Sequence, residues 1–279
     1  MNVASHEVTD ALSRLSAELR LGGVVALTGA GVSTESGIPD YRSPEALARP
    51  RRPIQGPEFV RSERLRRRYW ARAMTGWDRF KLARPGAAHD ALARLEARGC
   101  VTGLITQNVD RLHHAAGSRN IVELHGALAE VICLVCSAIE DRESVQTRMR
   151  AANPAIVDAP MAPDGDADLP DEWIERFEVP SCARCDGVLK PHVVFFGHNV
   201  ARPIVDRAFA MVDDARALLV VGTSLAVYSG YRFSRRAVER GIPVFIVNRG
   251  PVRGEEHAAW KIESSTGATL ATAADLALA

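Results

Sequence analysis

No apolar run in this sequence approaches the roughly 18 residues that a membrane-spanning helix requires, so no span is expected. The opening stretch, MNVASHEVTDALSRL, carries acids and no apolar h-region. It reads as neither a secretory signal nor an Arg-rich transit peptide, and the expectation is a cytoplasmic chain with no membrane partner. An excess of one charge is also lacking, since the formal net charge is +1. Bulk electrostatics therefore gives no reason to expect nucleic acid as a specific partner. Cysteines number only five, and four of them fall in two tight pairs, which in that compartment points to metal rather than disulfides. No internal repeat is visible.

What is present is enough for a sizeable core. The chain has 279 residues with 47% hydrophobic and 25% charged, the balance of one large globular domain or one domain with an insert. The stretch from Val24 to Arg42, VVALTGAGVSTESGIPDYR, organises it. Val24-Val25-Ala26-Leu27 has the continuous apolar character of a buried parallel strand. Gly29-Ala30-Gly31 then Ser33 break the run, where glycine lets backbone approach a phosphate and a following helix start would present free N–H groups. The hydride-transfer fingerprint is incomplete, however. Thr34 occupies the third glycine position, and no strand ending in an acid follows about 20 residues on. Gly37 to Arg42, with Asp40, Tyr41 and Arg42, reads instead as a Pro-stiffened loop that folds over the ligand.

Taken in order, Thr9 or Asp10 can cap a helix over Ala11 to Leu21. Arg49 to Arg84 is Arg-rich with interleaved Tyr69, Trp70, Trp77 and Phe80, and reads as a helical insert with a solvated basic face. A helix over Pro85 to Arg98 precedes a strand, Val101 to Thr106, that ends in Gln107-Asn108-Val109-Asp110. Ile121 to Leu124 is a short strand ending at His125-Gly126. Ala217 to Val221 ends in Gly222-Thr223-Ser224, and Pro243 to Val247 ends in Asn248. Strands alternating with helices predict a parallel α/β sheet of Rossmann-like type, helices on both faces, with ligand sites at the strands' carboxyl ends. Five strands lose their apolar character into glycine, amide or imidazole at that end.

Cys133-Leu134-Val135-Cys136 and Cys182-Ala183-Arg184-Cys185 predict one tetrahedral zinc with four protein thiolates. No open position remains, so such a metal is structural. The 136-to-182 gap exceeds the usual roughly 15–20 residues, which requires the polar insert to loop out. Cys100 reads as a core residue.

These motifs together resemble the sirtuin (Sir2) family: GAGVSTESGIPDYR, TQNVDRLH, ELHG, two CxxC pairs, KPHVVFFG, GTSLAVYSG and IVNRG, in the family's order from Val24 to Gly250. DYRS, RRPIQ, RYWAR, APDGD, VYSGYRF and the long inter-cysteine insert resemble the class II branch, that of sirtuin four, in a bacterial form. The resemblance implies an NAD-dependent protein lysine deacylase. There NAD is consumed: the acyl oxygen of a modified lysine attacks the ribose carbon bearing nicotinamide, nicotinamide leaves, and the acyl group ends on ADP-ribose. By motif, His125 is the general base, a role suited to an imidazole at a strand end, and Asn108 shares the catalytic site.

Further carry-over puts Gly29, Ala30, Gly31 and Ser33 at the pyrophosphate, with Gly222, Thr223 and Ser224 opposite. Asp40, Tyr41 and Arg42 belong to the cofactor loop, and Tyr41 stands where many relatives have Phe. Gln107 and Asn108 hold the ribose, Asp110 with Ile38 the nicotinamide amide, and Asn248 the adenosine ribose. Val193 to Gly197, with Val194, Phe195, Phe196 and Gly197 as contacts, resembles the segment that pairs with the peptide backbone by strand addition. Tyr69 and Arg72, at i and i+3, resemble the pair that holds acidic acyl groups in some relatives, which implies a preference for acidic or long acyl groups; the alternative is that the pair only packs the insert. The implied organisation is a discontinuous Rossmann-like domain over 1–43, 86–126 and 188–279, a helical insert over 44–85, and a zinc module over 127–187. The expected partners are acyl-lysine proteins, and a monomer is expected. Two rival readings are protein mono-ADP-ribosyl transfer and a non-catalytic NAD- and zinc-binding module.

Overall fold

The structure, a computed structural model, describes residues 3–38, 54–156 and 169–279. Its strands, numbered along the described residues, are β1 Val24–Thr28, β2 Val101–Thr106, β3 Ile121–Glu123, β4 Gly126–Cys133, β5 Ile139–Asp141, β6 Leu189–Val193, β7 Ala217–Val221, β8 Val244–Val247 and β9 Trp260–Ile262. The chain divides into two units, one of 1–40, 84–124 and 200–279, the other of 41–83 and 125–199.

In the first unit six parallel strands lie in the order β3-β2-β1-β7-β8-β9. Every residue of β1, β7 and β8 is buried, which explains why each reads as an unbroken apolar run rather than an alternating one. On one face Val24, Ala26, Leu219, Val221 and Phe245 pack with Leu15, Leu19, Leu92, Leu95 and Leu270. Those leucines come from the helices Val3–Arg20, Ala87–Ala97 and Thr266–Leu278. The helices Arg202–Asp213 and Tyr228–Glu239 serve the other face and meet through Phe209 and Phe233, whose ring centres are 4.9 Å apart. Strand order reverses between β1 and β7, and the crevice at the carboxyl ends of two such strands is where open α/β sheets take ligands.

Two local expectations differ from the structure. The first helix begins at Val3, not after a cap at Thr9 or Asp10. No Gly or Pro interrupts the stretch, and Asp10 is accommodated within it by a 2.8 Å ion pair to Arg14 one turn on. After β1 the chain makes two short 3-10 turns, Ala30–Val32 and Thr34–Ser36, instead of opening an α-helix. Gly37, at φ +80°, ends the second turn, so these two turns themselves supply no long-helix dipole.

The second unit is built on a three-stranded antiparallel sheet, β5-β4-β6. Phe59, Trp70, Met74, Val131, Met149, Phe177 and Leu189 form its core. Ser62 caps the helix Glu63–Leu82 and Asp141 caps Arg142–Ala152 through side-chain acceptors. In the Arg-rich segment Trp70 and Trp77 point inward while Arg61, Arg64 and Arg68 are exposed. The sequence expectation put 188–199 with the first domain. The structure puts it in the second unit, because β6 pairs with β4. Part of the helical insert and the stretch 157–168 lie outside the described residues.

Candidate functional site

The turns after β1 and β7 are nested at the switch point. Gly31 N–H donates to Gly222 O at 2.8 Å and Gly29 N–H to Val221 O at 3.2 Å. A Cβ on Gly31 would lie 2.9 Å from Gly222 Cα, and one on Gly29 would lie 2.6 Å from Thr223 Cβ. The motif glycines therefore let two loops interlock, and Gly222 itself sits at φ +60°. Tight turns at the carboxyl ends of two neighbouring parallel strands are where such sheets take a pyrophosphate, and NAD fits the residues present here.

Beside the cradle stands a polar cluster. Ser33 Oγ donates to Asp110 Oδ2 at 2.7 Å and accepts from Asn108 Nδ2 at 2.9 Å. Asp110 Oδ1 accepts from Leu112 N–H, so the carboxylate is anchored at both oxygens. Gln107 Nε2 donates to Thr28 O at 3.3 Å and Thr223 Oγ1 at 3.0 Å, tying together the loops after β1, β2 and β7. Asn248 is buried at the end of β8 and spends its amide on Arg249 O and Gly250 O, at 2.9 and 3.1 Å. Ser224 O accepts from Arg253 N–H. The structure thus brings together Gly29, Ala30, Gly31, Ser33, Gln107, Asn108, Asp110, Gly222, Thr223 and Ser224 within the first unit. Asp40, Tyr41 and Arg42 lie outside the described residues.

Sequence reasoning missed what holds this cluster in place. His89 Nδ1 accepts from Gly86 N–H at 3.1 Å, which leaves Nε2 as the donor facing Ser33 Oγ at 3.4 Å. His113 Nε2 lies 2.9 Å from Thr28 Oγ1, and Thr28 Oγ1 donates to Thr106 Oγ1, which also accepts from Asn108 N–H. Burial lowers the pKa of both imidazoles, that of His113 to about 3. Each is therefore neutral at physiological pH, and the two rings lie 4.7 Å apart. Gly230 is the other omission: a Cβ there would come within 2.4 Å of Gln107 Oε1. The only sequence signal for these partners is that His89 and His113 stand on otherwise apolar helix faces.

In the second unit His125 is half-buried, immediately before β4. Its carbonyl accepts from Val194 N–H at 2.9 Å. Gly126, at φ +74°, turns the chain so closely on β6 that a Cβ would fall 2.0 Å from His192 O. Phe195 packs against Phe59 and Tyr69 with ring centres 5.1 and 5.4 Å apart, while Phe196 is exposed. Gly197 is also left-handed, and Phe196 O accepts from Gly56 N–H. Tyr69 and Arg72 are half-buried on the helix Glu63–Leu82.

The four cysteines meet. Their sulfurs all lie within 4.8 Å of one another. Cys133 Sγ is 3.6 Å from Cys185 Sγ, and Cys136 Sγ is 3.7 Å from Cys182 Sγ. A tetrahedral zinc with Zn–S near 2.3 Å sets sulfurs about 3.8 Å apart, so the donor set fits. Both knuckles share one geometry. Cys133 N–H donates to Ala138 O and Ser137 N–H to Cys133 O, as Cys182 N–H does to Gly187 O and Asp186 N–H to Cys182 O. Ser137 and Asp186 both take left-handed φ, +58° and +56°. The Cys136 N–H draws the Cys133 thiol down to about 6, whereas the neighbouring Cys136 side chain pushes Cys185 up to about 12. Crowded sulfurs cannot all ionise unaided, and a dication relieves that. Gly187, unnoticed in the sequence, is required because a Cβ would lie 2.8 Å from Cys133 Sγ. Cys100 is buried apart from them, in the core of the first unit.

Comparison with known proteins agrees with this geometry. A model described as the Sir2 family matches residues 29–229. The chain is 51% identical over 247 residues to the NAD-dependent protein deacetylase of Xanthomonas axonopodis pv. citri, covering 88% of this chain and 84% of that one. It is 49% identical over 249 residues to the NAD-dependent protein deacylase Sirt4 of Drosophila melanogaster, covering 88% and 80%. Among solved structures, a Sir2–p53 peptide–NAD+ complex is similar with a TM-score of 0.73 and 29% identity, over 97% of this chain and 96% of that one. With its matching sheet, glycine cradle and four-thiolate centre, the chain belongs to the Sir2 family.

Proposed function

We propose that the chain is an NAD-dependent protein lysine deacylase, moving the acyl group from lysine to ADP-ribose and releasing nicotinamide. The observation that carries the reading is Ser33 holding Asn108 and Asp110 beside the glycine cradle at the sheet's switch point. NAD, once bound, supplies an activated ribose carbon with nicotinamide as leaving group. The chain's own residues do the rest. Ala30, Thr223 and Ser224 offer backbone N–H donors to the pyrophosphate, while Gly29, Gly31 and Gly222, whose N–H groups are spent on neighbouring carbonyls, shape the turns that present them. Gln107 and Asn108 orient a ribose, and Asp110 accepts from an amide such as that of nicotinamide. His125 takes a proton from a ribose hydroxyl, the work an imidazole does as a general base. Val194 to Gly197 pairs with the backbone of an acyl-lysine peptide, whose sequence is thereby left largely free. Tyr69 and Arg72 favour a carboxylate at the end of the acyl chain. Zinc contributes fold alone, because four sulfurs fill its coordination shell.

Among the described residues no helix is long and apolar enough to cross a membrane, and a reduced zinc–thiolate centre suits the cytoplasm. ADP-ribosyl transfer to protein and a non-catalytic module are not favoured, given the intact His125 and Asn108 and relatives named as deacetylases. The discriminating experiment follows NAD labelled in its ADP-ribose half. Acylated ADP-ribose in solution supports deacylation, and label retained on protein contradicts it.

A further inference from the structure

Lys190 is 7% exposed on β6, yet it has no carboxylate partner among the described residues. Buried lysines without a counter-charge are uncommon, because the ammonium forfeits its hydration. Here its donors turn back on its own strand. Nζ donates to Pro191 O at 3.0 Å and to Val193 O, and it stands 4.7 Å from the centre of the Phe195 ring. Burial accordingly lowers its pKa to about 8.

The strand needs this help for a specific reason. β4 pairs regularly with β6 from Cys133↔Leu189 to Val131↔Pro191, and the next pair is Gly126↔Val193. Five residue steps on β4, from 126 to 131, thus face two on β6, from 191 to 193. β6 is also the edge strand of the order β5-β4-β6, so alternate carbonyls face away from β4, and the ammonium serves those of Pro191 and Val193. The next peptide group is the one that matters for function. Val193 O belongs to the same peptide plane as Val194 N–H, and Val194 N–H holds the carbonyl of His125 at 2.9 Å. Phe195, under the ammonium, in turn packs on Tyr69.

We propose that Lys190 is a positioning residue, whose ammonium sets the 191–195 backbone so that Val194–Phe196 takes the acyl-lysine peptide while Val194 holds His125. The inference rests on the reading of that segment as the peptide-binding strand. It assigns Lys190 no contact with NAD or with the reacting atoms.

The test varies acyl-lysine peptide and NAD separately in nicotinamide-release kinetics for wild type, Lys190→Met, Lys190→Arg and Lys190→Gln, with melting temperature and zinc content measured alongside. Lys190→Met keeps length and apolar stem but loses charge and donors. It is expected to raise the peptide KM about tenfold, the scale of losing charge-assisted hydrogen bonds, while the NAD KM stays within about twofold. Lys190→Arg keeps charge and donors and is expected to recover most of that loss. An unchanged peptide KM in Lys190→Met overturns the proposal, as does an equal rise in both KM values with a fall in melting temperature, which is the signature of a merely structural residue. If Lys190→Met does not melt cooperatively, equal peptide KM values for Lys190→Gln and Lys190→Arg overturn it. Wild-type release that ignores peptide overturns the underlying deacylase reading, a different failure from peptide-dependent release that Lys190→Met leaves intact.

Discussion

Ser33 and Asp110, 77 residues apart in sequence, share a 2.7 Å hydrogen bond in which the hydroxyl donates to the carboxylate. The same hydroxyl accepts from Asn108, so one small side chain orients two of the residues assigned to the cofactor. Ser33→Ala is expected to raise the NAD KM about tenfold or more, since a buried hydrogen-bonded oxygen is worth about 1–3 kcal/mol once its partners are stranded. Peptide KM is expected to change little. NAD titration by calorimetry checks this, and unaltered NAD affinity contradicts it.

The glycines divide into two kinds. Gly31→Ala drives a methyl to 2.9 Å from Gly222 Cα, against backbone that cannot move aside. It is expected to cost about 1–3 kcal/mol of stability by overpacking and to abolish measurable NAD binding. Gly37→Ala meets nothing within 4 Å and bears only the penalty of its left-handed φ, about 1–2 kcal/mol. It is expected to keep NAD binding. Thermal melts with and without NAD separate the two.

Acid stability follows from the buried imidazoles. His113 is held neutral with a folded pKa near 3 against 6.5, and burial shifts His89 in the same direction. The folded value lies below the unfolded one, so the unfolded chain binds more protons across that interval. For His113 stability is therefore complete above about pH 6.5 and falls as pH drops toward 3, by up to about 1.4 kcal/mol per pH unit, and His89 adds a loss of the same sign. Denaturant melts from pH 7 to 4 should show this loss, and His113→Gln should lessen its slope. Equal slopes in wild type and variant contradict the assignment.

Much of this is legible in the sequence, and the reasons are physical. β1, β7 and β8 are buried on both faces, so each appears as a plain apolar run. CxxC spacing carries its chemistry locally, which is why Cys133, Cys136, Cys182 and Cys185 group together on spacing alone. What stays hidden depends on three-dimensional contact. β4 mixes buried and half-buried positions, so its apolar pattern is faint. The interlocking of Gly31 with Gly222 and the seating of Gln107 on Gly230 join segments more than a hundred residues apart. In the sequence Lys190 is merely the first residue of a motif, whereas its importance lies in folding back on carbonyls at 191 and 193.

Zinc removal is a test of structure rather than chemistry. Elemental analysis should find one zinc per chain, lost in Cys136→Ser and kept in Cys100→Ser, whose thiol lies apart from the cluster. Chelation should lower the melting temperature and with it the activity. A fully active, equally stable zinc-free enzyme contradicts the assignment.

In the proposed function, acyl selectivity is assigned to Tyr69 and Arg72. Arg72→Ala is expected to reduce removal of acidic acyl groups about tenfold more than removal of acetyl, the loss of one charge-assisted contact. Equal reduction of both activities across matched peptides rules the selectivity role out.

The central claim meets its most direct test in nicotinamide release from NAD with a panel of acyl-lysine peptides, for wild type and His125→Ala. The account predicts release that requires peptide, that is strongest for one acyl class, and that the His125→Ala variant loses while it still binds zinc and NAD. Release that no peptide stimulates, or that survives His125→Ala undiminished, contradicts it.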